Sequence, residues 1–202
     1  MSGILRCQLL IFSAMLLAVA EDGSQALLDS PWVKHASVSI LPERGEGQLR
    51  DGGKMGGGGK RAGLAKVKTP PGTLDVRWES AAPIRTAESK AADTPGPRWD
   101  GDYYAIAVYG VPGITPGNER GLRSELKQSS FLRRRGKKDL KPARVDVAVL
   151  ADHSARILYL FPRSAAITPE DRRVEFVSQI GRFVVAPWFN LADMTYQGKL
   201  EL

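Results

Sequence analysis

Arg144–Pro162, RVDVAVLADHSARILYLFP, is the stretch that decides the fold class. Val145, Val147 and Val149 alternate with smaller or polar residues, and Ile157, Tyr159 and Phe161 alternate again after Ala151-Asp152-His153-Ser154. A period of two, carried by β-branched and aromatic side chains, places one face of each run in a core. Two such runs joined by a short polar segment read as an antiparallel hairpin.

The same spacing extends on both sides. Val174–Phe176 and Phe183–Val185 resume it around Gly181, and Tyr196–Leu202 (YQGKLEL) closes the chain as a last strand. Thr168-Pro169-Glu170-Asp171 has the residues of a helix start, with a capping Thr, an early Pro and acids for the dipole. Strand spacing returns so soon that it reads as a turn. Upstream, Thr73–Glu79 alternates through Leu74, Val76 and Trp78, and Tyr103–Val111 is nearly all apolar, as in a central strand. Two helices are expected: a short one over 83–92 and an amphipathic one over 119–134 through Leu122, Leu126 and Phe131. Pro31–Leu41 is a possible first strand. The expectation is an α+β domain over 73–202, strand-dominated and antiparallel with two short helices, preceded by a signal peptide and a flexible linker.

The N-terminal part is built differently. Arg6 is the only charge before Glu21, and Cys7–Ala20 is an uncharged, predominantly apolar run ending in Ala18-Val19-Ala20. A basic end, an apolar run and a small-x-small site together read as a signal peptide over 1–20, with a second candidate cut after Ala26. The competing reading is a core helix or an uncleaved anchor. Fourteen helical residues rise about 21 Å, short of the roughly 30 Å hydrocarbon layer, so no transmembrane span is expected after cleavage. Cleavage also removes Cys7, the single cysteine of the 202 residues, and with it any thiol or disulfide chemistry. Residues 21–41 then form a short N-terminal segment, and 42–72 a glycine-rich basic linker. Nine glycines among residues 45–63, with almost no large apolar side chain, offer no burial to offset a backbone ordering cost of about 1–2 kcal/mol per residue.

The net charge of +7 is unevenly placed. Residues 43–68 carry +4 and residues 120–144 carry +8, so the rest of the chain is net acidic. The densest run is Arg133, Arg134, Arg135, Lys137 and Lys138, the candidate polyanion-binding residues. On an exported protein its counterpart is an envelope polyanion, and no aromatic residue interleaves within 132–144 to favour base stacking. The bland reading is a solvated loop.

Other constellations carry less. Gly56–Lys60 lacks the leading Gly and trailing Ser/Thr of a phosphate loop, so no nucleotide or other cofactor is expected. Asp152-His153-Ser154 holds three triad residue types, but consecutive residues cannot orient one another in a relay. Asp100 and Asp102 begin a calcium-like alternation that stops at Tyr104, and two histidines give no metal site. Asp100, Asp102, Glu170, Asp171, Glu175 and Asp193 are the acids available to a carboxylate-dependent hydrolase of cell-wall or glycan substrates. Trp32, Trp78, Trp99 and Trp188 could line a sugar-binding face, although most tryptophans in a domain of this size belong to the core; Trp99, in a Pro/Gly loop, is the foremost candidate.

Four stretches, Val76–Ser80 (VRWES), Tyr104–Tyr109 (YAIAVY), Leu158–Arg163 (LYLFPR) and Tyr196–Leu202, together with Pro31-Trp32 and the glycine-rich spacer, resemble an uncharacterised group of secreted bacterial proteins of unknown function. The resemblance implies an export route and a layout of leader, spacer and β-rich C-terminal domain, and assigns no catalytic residue. The reading is an exported module, periplasmic or extracellular, that is not a catalyst and binds an envelope polyanion or another exported protein. The alternative is the hydrolase.

Overall fold

Alternating residues pair as their spacing requires. The computed structural model describes residues 29–41, 72–91, 99–114, 117, 119–150 and 153–202. The expected signal peptide and all of the expected linker but Gly72 lie outside the described residues. The first sheet holds β1 (Val33–Ser37), β3 (Thr73–Trp78), β4 (Tyr103–Val111), β6 (Arg144–Val149) and β7 (Ala155–Pro162), in the order β1-β3-β4-β7-β6 and antiparallel throughout. Trp78, Ile106, Tyr159 and Val145 stand opposite one another across four strands, and Val76, Val108, Ile157 and Val147 form the next row. Both rows are buried, so the hydrophobic alternation of Arg144–Pro162 is what sets the register. The register shifts between Val108 and Val111, where Gly110 takes a φ of 77° that a side chain would resist.

The second sheet is built around β8 (Arg173–Ile180). β5 (Ser130–Arg134) lies along one side of it, and β9 (Phe183–Val185) and β10 (Trp188–Asn190) share the other, while β2 (Ser39–Ile40) pairs with β9. The inner faces of the two sheets meet through edge-on aromatic pairs. Trp78 contacts Phe189 at 5.2 Å between ring centroids, and Tyr159 contacts Phe176 at 5.1 Å. Within this core the Tyr159 hydroxyl lies 2.7 Å from Ser178 Oγ, which also accepts from Ser130 Oγ at 3.0 Å. Burial pushes the Tyr159 hydroxyl well above its ordinary value, so it stays protonated and satisfied in place. Pro31–Leu41 belongs to this core as well: β1 pairs with β3, and Trp32, Val33 and Ala36 are buried.

Among the described residues the fold is strand-dominated and antiparallel with two α-helices, α1 (Ala82–Ala91) and α2 (Glu119–Ser129). α2 buries Leu122 and Leu126 and packs on β6 and β8. It stops short of the expected Arg134. The helical spacing ends at Ser129-Ser130, and Ser130–Arg134 then buries alternate residues against β8 as β5. The C-terminal segment also differs from a single strand. Gln197 and Gly198 both adopt positive φ, 50° and 76°, and fold β11 (Thr195–Tyr196) back on β12 (Lys199–Leu200) as a two-residue hairpin. Thr168–Asp171 is a single 3₁₀ turn, with the Thr168 N–H donating to Asp171 Oδ2 at 3.1 Å.

Among the described residues, no helix is long and apolar enough to cross a membrane.

Candidate functional site: a cation-lined cleft at one end of the second sheet

A cleft of about 790 Å³ opens where β5 ends, β8 begins and β10 begins. Its walls come from Arg133–Lys137 and Asp139 on one side, Glu170–Arg173 on the other, and Trp188. Sheet register explains the convergence. Arg133 on β5 and Trp188 on β10 both stand opposite Glu175 on β8, forming one cross-strand row on the outer face. The loop after β5 is held by reciprocal backbone hydrogen bonds between Leu132 and Leu140.

The run of basic residues divides into two classes. Arg134 is on the core-facing side of β5 and is buried. Its guanidinium donates to the carbonyls of Ala166 at 3.1 Å, Lys138 at 3.2 Å and Ala165 at 3.4 Å. Lys137 Nζ reaches across the cleft to Asp171 Oδ1 at 2.7 Å, and Arg133 Nη1 donates to Glu175 Oε2 at 2.9 Å. These three hold the cleft walls together. Arg135 and Lys138 are exposed, and their side chains make no hydrogen bond or ion pair with the described residues. Two further cations enter from the opposite wall. Arg172 is exposed, with a positive φ of 57°, and has no side-chain partner among the described residues. The guanidinium of Arg173 lies 5.5 Å from the Trp188 ring centroid. Trp188 is 49 % exposed, the most of any large hydrophobic residue described.

Of the three acids lining the cleft, Asp171 is the ion-pair partner of Lys137, while Glu170 and Asp139 make no ion pair with the described residues. Burial works to raise the Asp171 carboxyl, but its hydrogen bonds from Lys137 and the Thr168 N–H outweigh that and hold it below the usual carboxylate range. The Thr168 side chain, through a hydrogen bond, likewise lowers Glu170. The remaining hydrolase candidates are dispersed. Asp193 accepts from Asn190 Nδ2 at 2.8 Å, and Asp100 and Asp102 lie in the exposed turn before β4, outside the cleft lining. His153 sits at the hairpin tip with a φ of 62°, its N–H donating to the Leu150 carbonyl. Among the described residues no three His, Cys, Asp or Glu side chains cluster as metal ligands would.

Trp32 and Trp78 are buried, and Trp99 packs half-buried on the outer face of the first sheet. Trp188 supplies the exposed ring instead. Sequence reading placed no function on Arg172 or Arg173, and took Trp188 only as one of four tryptophans able to line a sugar-binding face, with Trp99 preferred. The available signal was the pair Arg172-Arg173 directly after an acidic turn, but its neighbourhood to Arg135 depends on β5 pairing with β8.

No protein-family model, curated protein or solved structure matches this chain.

Proposed function

We propose that this protein is an exported, non-catalytic binding module whose cleft holds an acidic envelope polymer. The observation that carries the reading is the set Arg135, Arg172 and Arg173 around the exposed Trp188, three guanidinium groups with no carboxylate partner among the described residues. Guanidinium forks match phosphate and carboxylate oxygens bidentately, and an indole ring offers a flat face to a sugar. Arg133, Arg134 and Lys137 serve the same site indirectly by fixing its walls.

Co-sedimentation of the chain from Glu21 to Leu202 with isolated envelope fractions, across a salt series, tests this reading. The informative variant reverses Arg135, Arg172 and Arg173 to Glu and leaves Arg134 and Lys137 intact. A basic side chain near an anionic surface contributes about 1 kcal/mol. Three together correspond to a loss of roughly a hundredfold in apparent affinity, with wild-type binding itself fading as salt rises. Equal pelleting of wild type and variant at every salt concentration, or no pelleting of either, overturns the proposal.

A further inference from the structure

The outer face of the first sheet carries a second polar arrangement, separate from the cleft. Glu79 follows β3 directly and is completely buried. It cannot swing out, because the next residue is pinned: Ser80 Oγ accepts the Ala105 N–H at 3.0 Å, and Ala81 and Ile84 of the following turn and helix are fully buried. Glu79 Oε1 accepts from the Tyr109 hydroxyl at 2.7 Å. Its other oxygen, Oε2, is buried without an N–H or O–H partner, and the carboxyl lies within hydrogen-bonding reach of Glu88 on α1. Two carboxyl groups can bond to each other only if one of them keeps a proton.

The nearby cation does not substitute for that proton. Arg77 on β3 stacks its guanidinium 4.6 Å above the Tyr109 ring and leaves its own Nε buried without a partner. Among the described residues, the charged and titratable groups acting on Glu79 are therefore Arg77 from β3, Tyr109 from β4 and Glu88 from α1. Burial, together with Glu79, raises the Tyr109 hydroxyl far above its ordinary value, so it remains a donor through neutral and mildly alkaline pH.

We propose that Glu79 and Glu88 share one proton, and that this proton latches α1 to the first sheet. Burial first, and the Glu88 charge second, push the Glu79 carboxyl up to about 8, against the opposing hydrogen bond from Tyr109 and charge of Arg77. Below that value the O–H bridges the two side chains. Above it, the buried Glu79 carboxylate faces the half-buried carboxylate of Glu88, and the helix is driven off the strand end. The proposal is independent of the cleft and of what the cleft binds.

Denaturant unfolding of the full chain between pH 5 and 9 reads the shared proton. A carboxyl raised on folding makes the native state lose stability as pH rises, so the unfolding constant climbs by up to about tenfold per pH unit and levels off above pH 8. Glu79→Gln keeps an oxygen for Tyr109 and an N–H for Glu88 without titrating, and flattens that profile. Glu88→Gln, on a half-buried helix position, serves as the second variant if the first does not fold. Amide-exchange protection, normalised to the intrinsic rate at each pH, reads the latch: protection over 82–91 falls by up to about tenfold between pH 7 and 9 in wild type, while β4 holds its protection and Glu88→Gln does not respond. A wild-type stability slope shared by both variants, or α1 protection that is constant with pH, overturns the proposal.

Discussion

Two buried carboxyls, Asp171 and Glu79, respond to burial in opposite ways. The Asp171 side chain is 1 % exposed and Glu79 is not exposed at all. Asp171 nevertheless titrates below its ordinary range, and Glu79 rises to about 8. Desolvation pushes both upward. The difference is the partner. Asp171 faces Lys137 at 2.7 Å, with the Thr168 N–H as a second donor, whereas Glu79 faces another carboxyl and a Tyr hydroxyl, and its nearest cation is stacked on a ring. A buried acid is thus a cross-link between two loops in one place and a proton store in the other.

The largest effect that would break this comparison is expected from Asp171→Asn. Losing the charge strands Lys137, which is 43 % exposed and can turn to water, so the cost falls below that of a fully buried pair, at about 2–3 kcal/mol at pH 7. A carboxyl lowered on folding contributes stability at neutral pH and loses it as pH falls through its folded-state value. Chemical unfolding should therefore show the variant and wild type converging in strong acid. A constant difference at all pH values would mean that the pair is not electrostatic.

Tyr109→Phe sharpens the other half of the comparison. It removes the hydroxyl that donates to Glu79 Oε1 and leaves a buried acceptor, with an expected loss of about 1–2 kcal/mol at neutral pH. Because that hydrogen bond pulls the Glu79 carboxyl down, its removal should move the alkaline inflection to higher pH. An inflection that moves down instead would reverse the assigned role of Tyr109.

The smallest effect is expected at Arg135→Ala, which touches neither carboxyl. Its side chain has no partner among the described residues, so thermal stability should change by less than about 0.5 kcal/mol. Envelope binding should still weaken. A clear loss of stability would instead place Arg135 with Arg133, Arg134 and Lys137 as a wall residue of the cleft.

Much of the scaffold was legible because it rests on local periodicity. The alternation of Val145–Val149 and Ile157–Phe161 specifies which faces are buried, and a slip by one residue would turn all of them outward. The end of α2 was less legible. Phe131 lies close enough to a helical position to suggest continuation, and only pairing with β8 makes Ser130–Arg134 a strand. Within the basic run, composition treated Arg133, Arg134, Arg135, Lys137 and Lys138 alike. The alternation of β5 sends Arg134 inward, and the chain from Ile167 to Glu175 supplies carboxylates to Lys137 and Arg133. Glu79 and Glu88 were passed over because neither belongs to a recognisable motif. Their nine-residue separation becomes proximity only when α1 folds back onto the end of β3.

By itself, then, the sequence determined most of the strands, the antiparallel class, the presence of two helices and the concentration of charge in a few segments, since each follows from neighbours within one or two turns of chain. Tertiary structure alone decided which charges are neutralised, which tryptophan meets solvent, and which buried acid keeps its proton. Those properties depend on the dielectric surroundings and on partners brought in from other strands, and a linear pattern of residues specifies neither.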